Sequence, residues 1–349
     1  MDSYLSFFIG FLTATVLFIT FSIVITYANQ SSERWTGSNK SNRKIYYSRD
    51  NAGINNVRLQ FETLIVLCYL TNRTLMIPAA SFIDHYDRKF TEFDILDYDL
   101  LNKYIKIEFY SGTIPAKNIY KHDNKLHNSN YKTFPLNKDW WFTSSVSRIQ
   151  HFQCLRLSET DKEKANKVIT DAIGIKQELF DILDLVSQHL NIKNGKYNAI
   201  HIRRGDFLKT RKHLIFDEKE IANVIRKNIK PNIPIFISTN AETTFIDNLK
   251  NILSEYKILT SRDYENKLND KVQQAMADML VCANAHVFFG TPLSTFSTGI
   301  IQFRRVLSYK FNKNIKVEAK SIIPGQKFKE NYSVTGKYGE CWDLLTRFK

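Results

Sequence analysis

The sequence lacks the spacings by which cysteine and histidine hold metals. Its four cysteines, Cys68, Cys154, Cys282 and Cys341, stand far apart, with no CxxC pair and no Cys/His set, so no metal site is indicated. Cys68 and Cys282 lie in apolar runs and read as packed thiols. The count allows one or two disulfides, and spacing assigns no pairing. Neither a GxGxxG fingerprint nor a P-loop is present. Acid is the scarce charge: 35 Asp+Glu against 49 Lys+Arg leave +14 over 349 residues. Such a balance suits phosphates, anionic membrane or nucleic acid. The cations are scattered among asparagines and tyrosines, with no basic stripe and no recognised nucleic-acid module. A solvated surface therefore accounts for most of the excess, and no nucleic-acid partner is expected.

One segment lacks charge altogether. Residues 4–27, YLSFFIGFLTATVLFITFSIVITY, are long enough to cross a bilayer as a helix and are expected to anchor the chain as a single span. A cleaved signal peptide is the rival reading, with a passable site at Thr26-Tyr27-Ala28, but a basic n-region is missing and the apolar run is over-long for that role. Residues 28–43 are polar and turn-rich, a stalk. Asp2 precedes the span while Arg34, Lys40, Arg43 and Lys44 follow it, so the positive-inside rule places the large domain in the cytoplasm. Asn29, Asn39, Asn72 and Asn331 open glycosylation sequons, which matter only on the lumenal side.

From Lys44 the chain reads as an α/β protein. KIYYS is a strand, a loop carries NAGINN, Val57–Leu70 is a helix with Phe61, Leu64, Ile65 and Cys68 on one face, and RTLMIP is a second strand. Strand, loop, helix and strand in so short a stretch make a βαβ unit and a parallel sheet. The region 81–150 is aromatic and irregular. Ser158–Leu190 carries one long helical pattern behind the capping-box-like Ser158-Glu159-Thr160-Asp161. A second alternation opens at Tyr197: YNAIHIR, IPIFIST, YKILTS and AHVFFG as strands, with helices over 217–229, 241–253 and 272–283, and a last helix after STFS. Near-continuous apolar strands imply helices on both sheet faces. The expected architecture is two doubly wound Rossmann-like halves, 44–190 and 191–349, facing a cleft at the strands' carboxyl ends.

Three stretches carry chemistry. The strand YNAIHI delivers Arg203 and Arg204 to its carboxyl edge, where a forked, permanently charged guanidinium suits phosphate oxygens. Gly205 allows a tight turn there, and Asp206 is placed to fix one arginine by an ion pair. The bland alternative is a surface ion pair after a strand. In the second stretch, AHVFFG runs into Ser294, Thr295 and Ser297 at the mouth of a helix, where hydroxyls and unpaired backbone N–H groups favour an anion. Ordinary N-capping by Ser294 or Ser297 is its alternative. The third, Asn51–Phe61, is a Gly- and Asn-bearing loop opening a helix, equally readable as a plain βα turn. Asp97-Tyr98-Asp99 has the form of a metal-binding DxD, but no apolar strand leads into it, and capping or surface placement is favoured. Arg204-Gly205-Asp206 spells an adhesion tripeptide, yet it follows directly on an apolar strand rather than at a loop tip.

In this order the three motifs resemble the GDP-fucose-dependent fucosyltransferases, most closely the protein O-fucosyltransferase-like group, over most of Lys44–Leu307. GINN with LTNRTLMIP is similar to the group's first-half βαβ, HIRRGDF to its arginine strand, and FFGTPLSTFS to its phosphate loop. The resemblance implies a GT-B fold, inversion at the fucose anomeric carbon, no metal or other cofactor, GDP-fucose as donor, and a protein or glycan acceptor in an ER- or Golgi-type lumen, against the orientation the flanking charges suggest. It also implies that Arg203 holds the β-phosphate and glycosidic oxygen as GDP leaves. His201, Arg204 and Asp206 belong to the same HxRRGD strand, with Asp206 fixing the arginine. Ser294, Thr295 and Phe296 would line diphosphate and ribose, Asp278 would sit near guanine, and Gly53 with Asn55 or Asn56 would let the first-half loop close on the sugar and phosphates. Some members carry a glutamate base just before that loop glycine. Here the place is Ala52, and neither Glu62 nor Asp84, His85 or Asp87 is an evident substitute. A glycan α-1,2-fucosyltransferase shares HxRRGD, but that group usually follows its Ser-Thr-Phe-Ser with tryptophans, whereas this chain continues TGIIQFRR. Ala52 also motivates a nucleotide-sugar-binding pseudoenzyme.

Overall fold

The computed structural model describes residues 43–322 apart from 51–52, 83–85, 87, 95–96, 111–113, 115–117, 123–128, 144–154, 173, 175, 190, 192–195, 211, 265–267, 269, 293 and 311–318. The expected span 4–27 and nearly all of the stalk lie outside the described residues. Among those described, no helix is long and apolar enough to cross a membrane.

Two five-stranded parallel sheets form the frame. The first runs β3-β2-β1-β5-β4, from β1 (Lys44–Tyr47), β2 (Thr74–Pro78), β3 (Ile107–Tyr110), β4 (Ile119–His122) and β5 (Asp139–Phe142). The second runs β10-β9-β6-β7-β8, from β6 (Asn198–Ile202), β7 (Ile235–Thr239), β8 (Ile258–Thr260), β9 (Val287–Gly290) and β10 (Ala319–Ser321). Helix α1 (Ile54–Thr71) is covered on nearly every side, as its apolar content demands. It ends at Asn72, whose left-handed φ of 54° turns the chain back into β2, and asparagine tolerates that conformation better than most residues.

The helical pattern expected over 158–190 is two helices, α2 (Glu159–Ala172) and α3 (Gln177–His189). Between them Gly174 exchanges both backbone hydrogen bonds with Asp97, at 2.8 and 3.1 Å. The side chain of Asp97 accepts the amide of Asp99 at 2.9 Å, so this acid caps a turn. Helix α2 packs on α1, whereas α3 packs on α7 (Lys271–Asn284), so the chain crosses between halves before α3. One buried cluster runs from Ile45 and Phe61 through Met279 to Phe303 and Leu307, joining the halves in a common core. A second, built on Ile200, Ile237, Phe245 and Leu249, fills the other face of the second sheet.

In the second half the remaining helices are α4 (Phe207–Thr210), α5 (Glu218–Asn228), α6 (Thr243–Ile252) and α8 (Thr295–Lys310). Helix α5 opens on a capping box in which Asp217 and Glu220 bond each other's backbone amides. The fully buried Arg304 of α8 caps the far end of α7. Its guanidinium donates to the carbonyls of Ala283 at 3.0 Å and Ala285 at 2.7 Å, with Cys282 and His286 at 3.4 and 3.3 Å. Burial pulls this arginine down to about 10, yet it stays charged at neutral pH and faces the negative end of a helix. Cys68 and Cys282 are buried free thiols, as their apolar surroundings led us to expect.

Replacing Arg304 with methionine keeps much of the volume and strands several carbonyls without a donor. A loss of about 3 kcal/mol is expected in urea unfolding; an unchanged midpoint would show that the capping is dispensable.

Candidate functional site

Strands β6 and β9 are hydrogen-bonded neighbours in the sheet, and the chain leaves them in different directions, the switch point at which open parallel sheets form ligand crevices. Their adjacency brings Arg203 and Ser294 onto one cavity of about 500 Å³. That cavity is also lined by Gly53, Asn55 and Asn56 from the mouth of α1, and by His201, Asp206, Asp278, Thr295 and Phe296. Ten of the eleven residues that the resemblance places at the ligand therefore share it, while Ser297 of the same helix mouth does not line it.

Arg204 is the exception. Successive residues leaving a strand point to opposite sides, and Arg204 turns outward: it donates to the Phe216 carbonyl at 3.1 Å and stacks over Phe245 at 4.3 Å. Arg203 faces the cavity, paired with Asp206 at 2.7 Å and lying 5.9 Å from the Phe207 ring. Its backbone is also fixed, because Thr291 beyond β9 accepts the Arg203 amide at 2.9 Å while donating to His201 O at 2.8 Å. Gly205 is needed for closeness as well as for the turn. A Cβ there would lie 2.4 Å from the Asn240 amide nitrogen, and Asn240 accepts the Arg204 amide at 2.8 Å.

His201 sits beneath this arginine, buried, with Nδ1 2.7 Å from Ser297 Oγ and its ring 4.8 Å from Phe296. Burial, then the positive charge of Arg203, pushes its pKa down to about 3, so it is a neutral prop. Ser294 accepts the Ser297 amide at 3.4 Å, the expected capping contact, while remaining part of the cavity wall; Thr298 donates back to Ser294 O at 3.1 Å.

Also on the cavity wall, Asp278 accepts Ser238 at 2.7 Å, Ser261 at 2.9 Å and the hydroxyl of Tyr264. Burial raises it to about 6 despite these donors. A carboxylate has about four acceptor positions, and three are used, which leaves one. Sequence reasoning missed Ser238, Ser261, Lys271 and Gln274 on this wall. Lys271 and Gln274 precede Asp278 by seven and four residues on α7, one helical face, a spacing legible once Asp278 is chosen. Ser238 stands near the carboxyl end of β7, the edge at which a parallel sheet presents ligand groups.

Asn55 does more than line the wall. Its amide donates to Thr295 O at the start of α8, and its carbonyl oxygen accepts Arg58 Nε at 2.9 Å. Arg58 also bonds Gln302, pairs with Glu62 at 3.2 Å and lies 5.5 Å from the Phe303 ring. Glu62 is thus a buried ion-pair partner on α1 and is no part of the cavity wall. Asp84, His85, Asp87 and Ala52 lie outside the described residues. No group of three or more His, Cys, Asp or Glu side chains placed to hold a metal occurs among the described residues.

With this geometry in place, comparison with known proteins is informative. A family model described as GDP-fucose protein O-fucosyltransferase matches residues 45–307. GDP-fucose protein O-fucosyltransferase 2 of Drosophila melanogaster is 28% identical over 124 residues, 34% of this chain and 25% of that protein. Its Homo sapiens counterpart is 30% identical over 115 residues, 32% of this chain and 27% of that protein. The matches thus span only about a quarter of these relatives' length. A crystal structure of POFUT1 in complex with GDP-fucose superposes with a TM-score of 0.51 at 11% identity, over 82% of this chain and 98% of that one, a likeness of fold.

Gly299, one turn into α8, makes the α1–α8 approach possible. A Cβ there would meet Met279 Cε at 2.4 Å and Asn55 Oδ1 at 2.5 Å. The Gly299→Ala variant is expected to lose about 1–3 kcal/mol of stability and to weaken ligand binding with it; thermal melting with and without GDP measures both, and a variant that matches the parent in each would show that the helices have slack.

Proposed function

Because the chain belongs to the GDP-fucose protein O-fucosyltransferase family, we propose that it is an inverting glycosyltransferase that moves fucose from GDP-fucose to a Ser or Thr hydroxyl of a protein acceptor. The observation that carries the reading is the meeting of Arg203 and the Ser294–Thr295 helix mouth on one cavity. In the reaction the acceptor oxygen bonds the anomeric carbon as the carbon–oxygen bond to the β-phosphate breaks; GDP departs with the electron pair, and the proton of the acceptor hydroxyl passes to solvent. Negative charge grows on the departing diphosphate, and fixed donors at that place are usually the largest catalytic term. Arg203, paired with Asp206 and fixed through its backbone by Thr291, supplies such a donor without reorganising. The first amides of α8 supply others. On this reading the chemistry needs no metal, since the guanidinium takes the place of a cation, and a guanine N–H uses the acceptor position left on Asp278. The face of α7 formed by Lys271, Gln274 and Asp278 supports that placement. We further place the catalytic region in an ER- or Golgi-type lumen, tethered by the apolar segment 4–27.

Two measurements test this. The Arg203→Ala variant should keep its melting temperature and lose about 100- to 1,000-fold in turnover of GDP-fucose; near-normal turnover would remove Arg203 from the mechanism, and donor binding without transfer or hydrolysis by the parent protein would make it a binding protein. The second concerns pH. Asp278 is raised to about 6 by burial, so below that value the free protein holds it protonated. If the carboxylate receives guanine, GDP affinity rises with pH up to about 6, by at most about tenfold per unit, and is flat above it. Calorimetric titration across that range should show the slope, and Asp278→Asn should abolish it; a slope that survives the substitution would assign it elsewhere.

A further inference from the structure

Buried carboxylates are ordinarily paired with a cation. Asp278 is 6% exposed, and among the described residues its partners are three hydroxyls and no lysine, arginine or histidine. Two of the three come from one short piece of chain. Strand β8 runs into a 3₁₀ turn, Ser261–Asp263, after which the Tyr264 amide bonds Ser261 O at 3.1 Å. Residues three apart in such a turn stand on the same side, and Ser261 and Tyr264 both donate to the carboxylate of Asp278. The turn is itself fixed, because Asp263 Oδ2 accepts the Thr260 amide at 2.6 Å and the Thr260 hydroxyl at 3.1 Å. The ring of Tyr264 is fully buried and stacks on Phe236 of β7 at 6.1 Å between centroids.

The hydroxyls divide unequally between the two carboxylate oxygens. Ser238 at 2.7 Å and Ser261 at 2.9 Å both bond Oδ2, while Tyr264 alone bonds Oδ1. Each oxygen of an ionised carboxylate has about two acceptor positions, so Oδ2 is full and Oδ1 keeps one. Ser238 and Ser261 have given their protons to Asp278, which leaves them only lone pairs to offer the cavity that they line with it. These three side chains therefore make a surface that accepts hydrogen bonds and does not donate them. Tyr264 does not line the cavity and acts there only through Asp278.

We propose that Tyr264 is a positioning residue for nucleobase selection: by donating to Asp278 Oδ1 it holds the carboxylate with one acceptor position open to an N–H of the base. An acceptor-only surface suits a base edge with adjacent N–H donors, as on guanine, and opposes adenine, which sets a ring acceptor beside its amino group. This rests on the reading that the cavity takes a nucleoside diphosphate with its base at Asp278.

A donor to the ionised form lowers a carboxylate's pKa, so without the Tyr264 hydroxyl the value of about 6 that burial imposes on Asp278 goes higher. Cys282, one turn on in α7, is held protonated by burial and then by Asp278 itself; burial also raises Tyr197 of the β6 edge, and takes Tyr86 of the first half up to about 12. With His201 already neutral, none of these four changes charge between about pH 5 and 8. The cations around the same helix are Lys271 and Arg203 on the cavity wall and Arg304 of α8 at its far end.

The experiment is calorimetric titration of the full chain and its Tyr264→Phe variant with GDP and with ADP, from about pH 5 to 8. The ratio of the two affinities cancels the titration of the shared diphosphate and reports on the base alone. In the parent the preference for GDP rises with pH and levels off above about 6. In the variant the rise moves up by about one unit, so that the preference at about pH 6 falls about fivefold and is regained by about pH 8. A preference cut by one factor at every pH would make Tyr264 a packing residue, and an unmoved profile would give it no role; either overturns the proposal and leaves the guanine reading standing. A parent that binds both nucleotides alike would sink that reading and the proposal with it. Fluorotyrosine at position 264, a stronger donor on the same ring, covers a Tyr264→Phe chain that does not fold. Its rise should lie below the parent's, and an unmoved or raised midpoint would overturn the proposal.

Discussion

Everything in the cavity depends on how closely α1 and α8 approach each other. Two parallel sheets with their own helices would ordinarily meet as separate lobes. Here Asn55 and Arg58 of α1 are bonded directly to Thr295 O and Gln302 of α8, in the space left by a residue without a side chain at 299. The seam is polar and buried, so its groups have no water to fall back on and must keep one register. That register decides where the mouth of α1 stands relative to Arg203. The same asparagine that sequence suggested for the ligand is thereby a joint between the halves, and the wall it offers to the cavity is a by-product of that joint.

The electrostatic character of the site follows from which groups are kept neutral or paired. Arg203 is held by Asp206 and backed by a histidine that burial forbids to charge. Asp278 is surrounded by three hydroxyls and still titrates high, because donors to its oxygens offset only part of the cost of removing it from water. The two groups thus differ in kind: a cation fixed by an exposed carboxylate, and a buried carboxyl held by hydroxyls.

Much of this was legible in the sequence where strands are buried on both faces. AIHI, IFIS and VFFG are apolar apart from His201 and Ser238, and they appear where expected, as does the helix after STFS. The first sheet was half hidden, because β3 and β4 are its edge strands: IEFY and IYKH mix exposed and covered positions and break the apolar run that marks a central strand. The helical pattern over 158–190 broke at a glycine whose partner, Asp97, is remote in sequence and leaves no local sign. Adjacent arginines posed a different problem. Type and spacing put both at the strand's end, but only the pleat says that Arg203 faces the cavity while Arg204 packs on Phe245.

The ion pair at the end of β6 has one more consequence. With Arg203 and Asp206 paired and His201 uncharged, this edge of the sheet has little net charge of its own to draw an anion from a distance. On the proposed function, capture of a charged nucleotide then falls to the diffuse surplus of +14 carried by the whole chain. Arrival should be sensitive to dissolved salt, while the grip after arrival, made of short contacts out of the solvent, should hardly notice it.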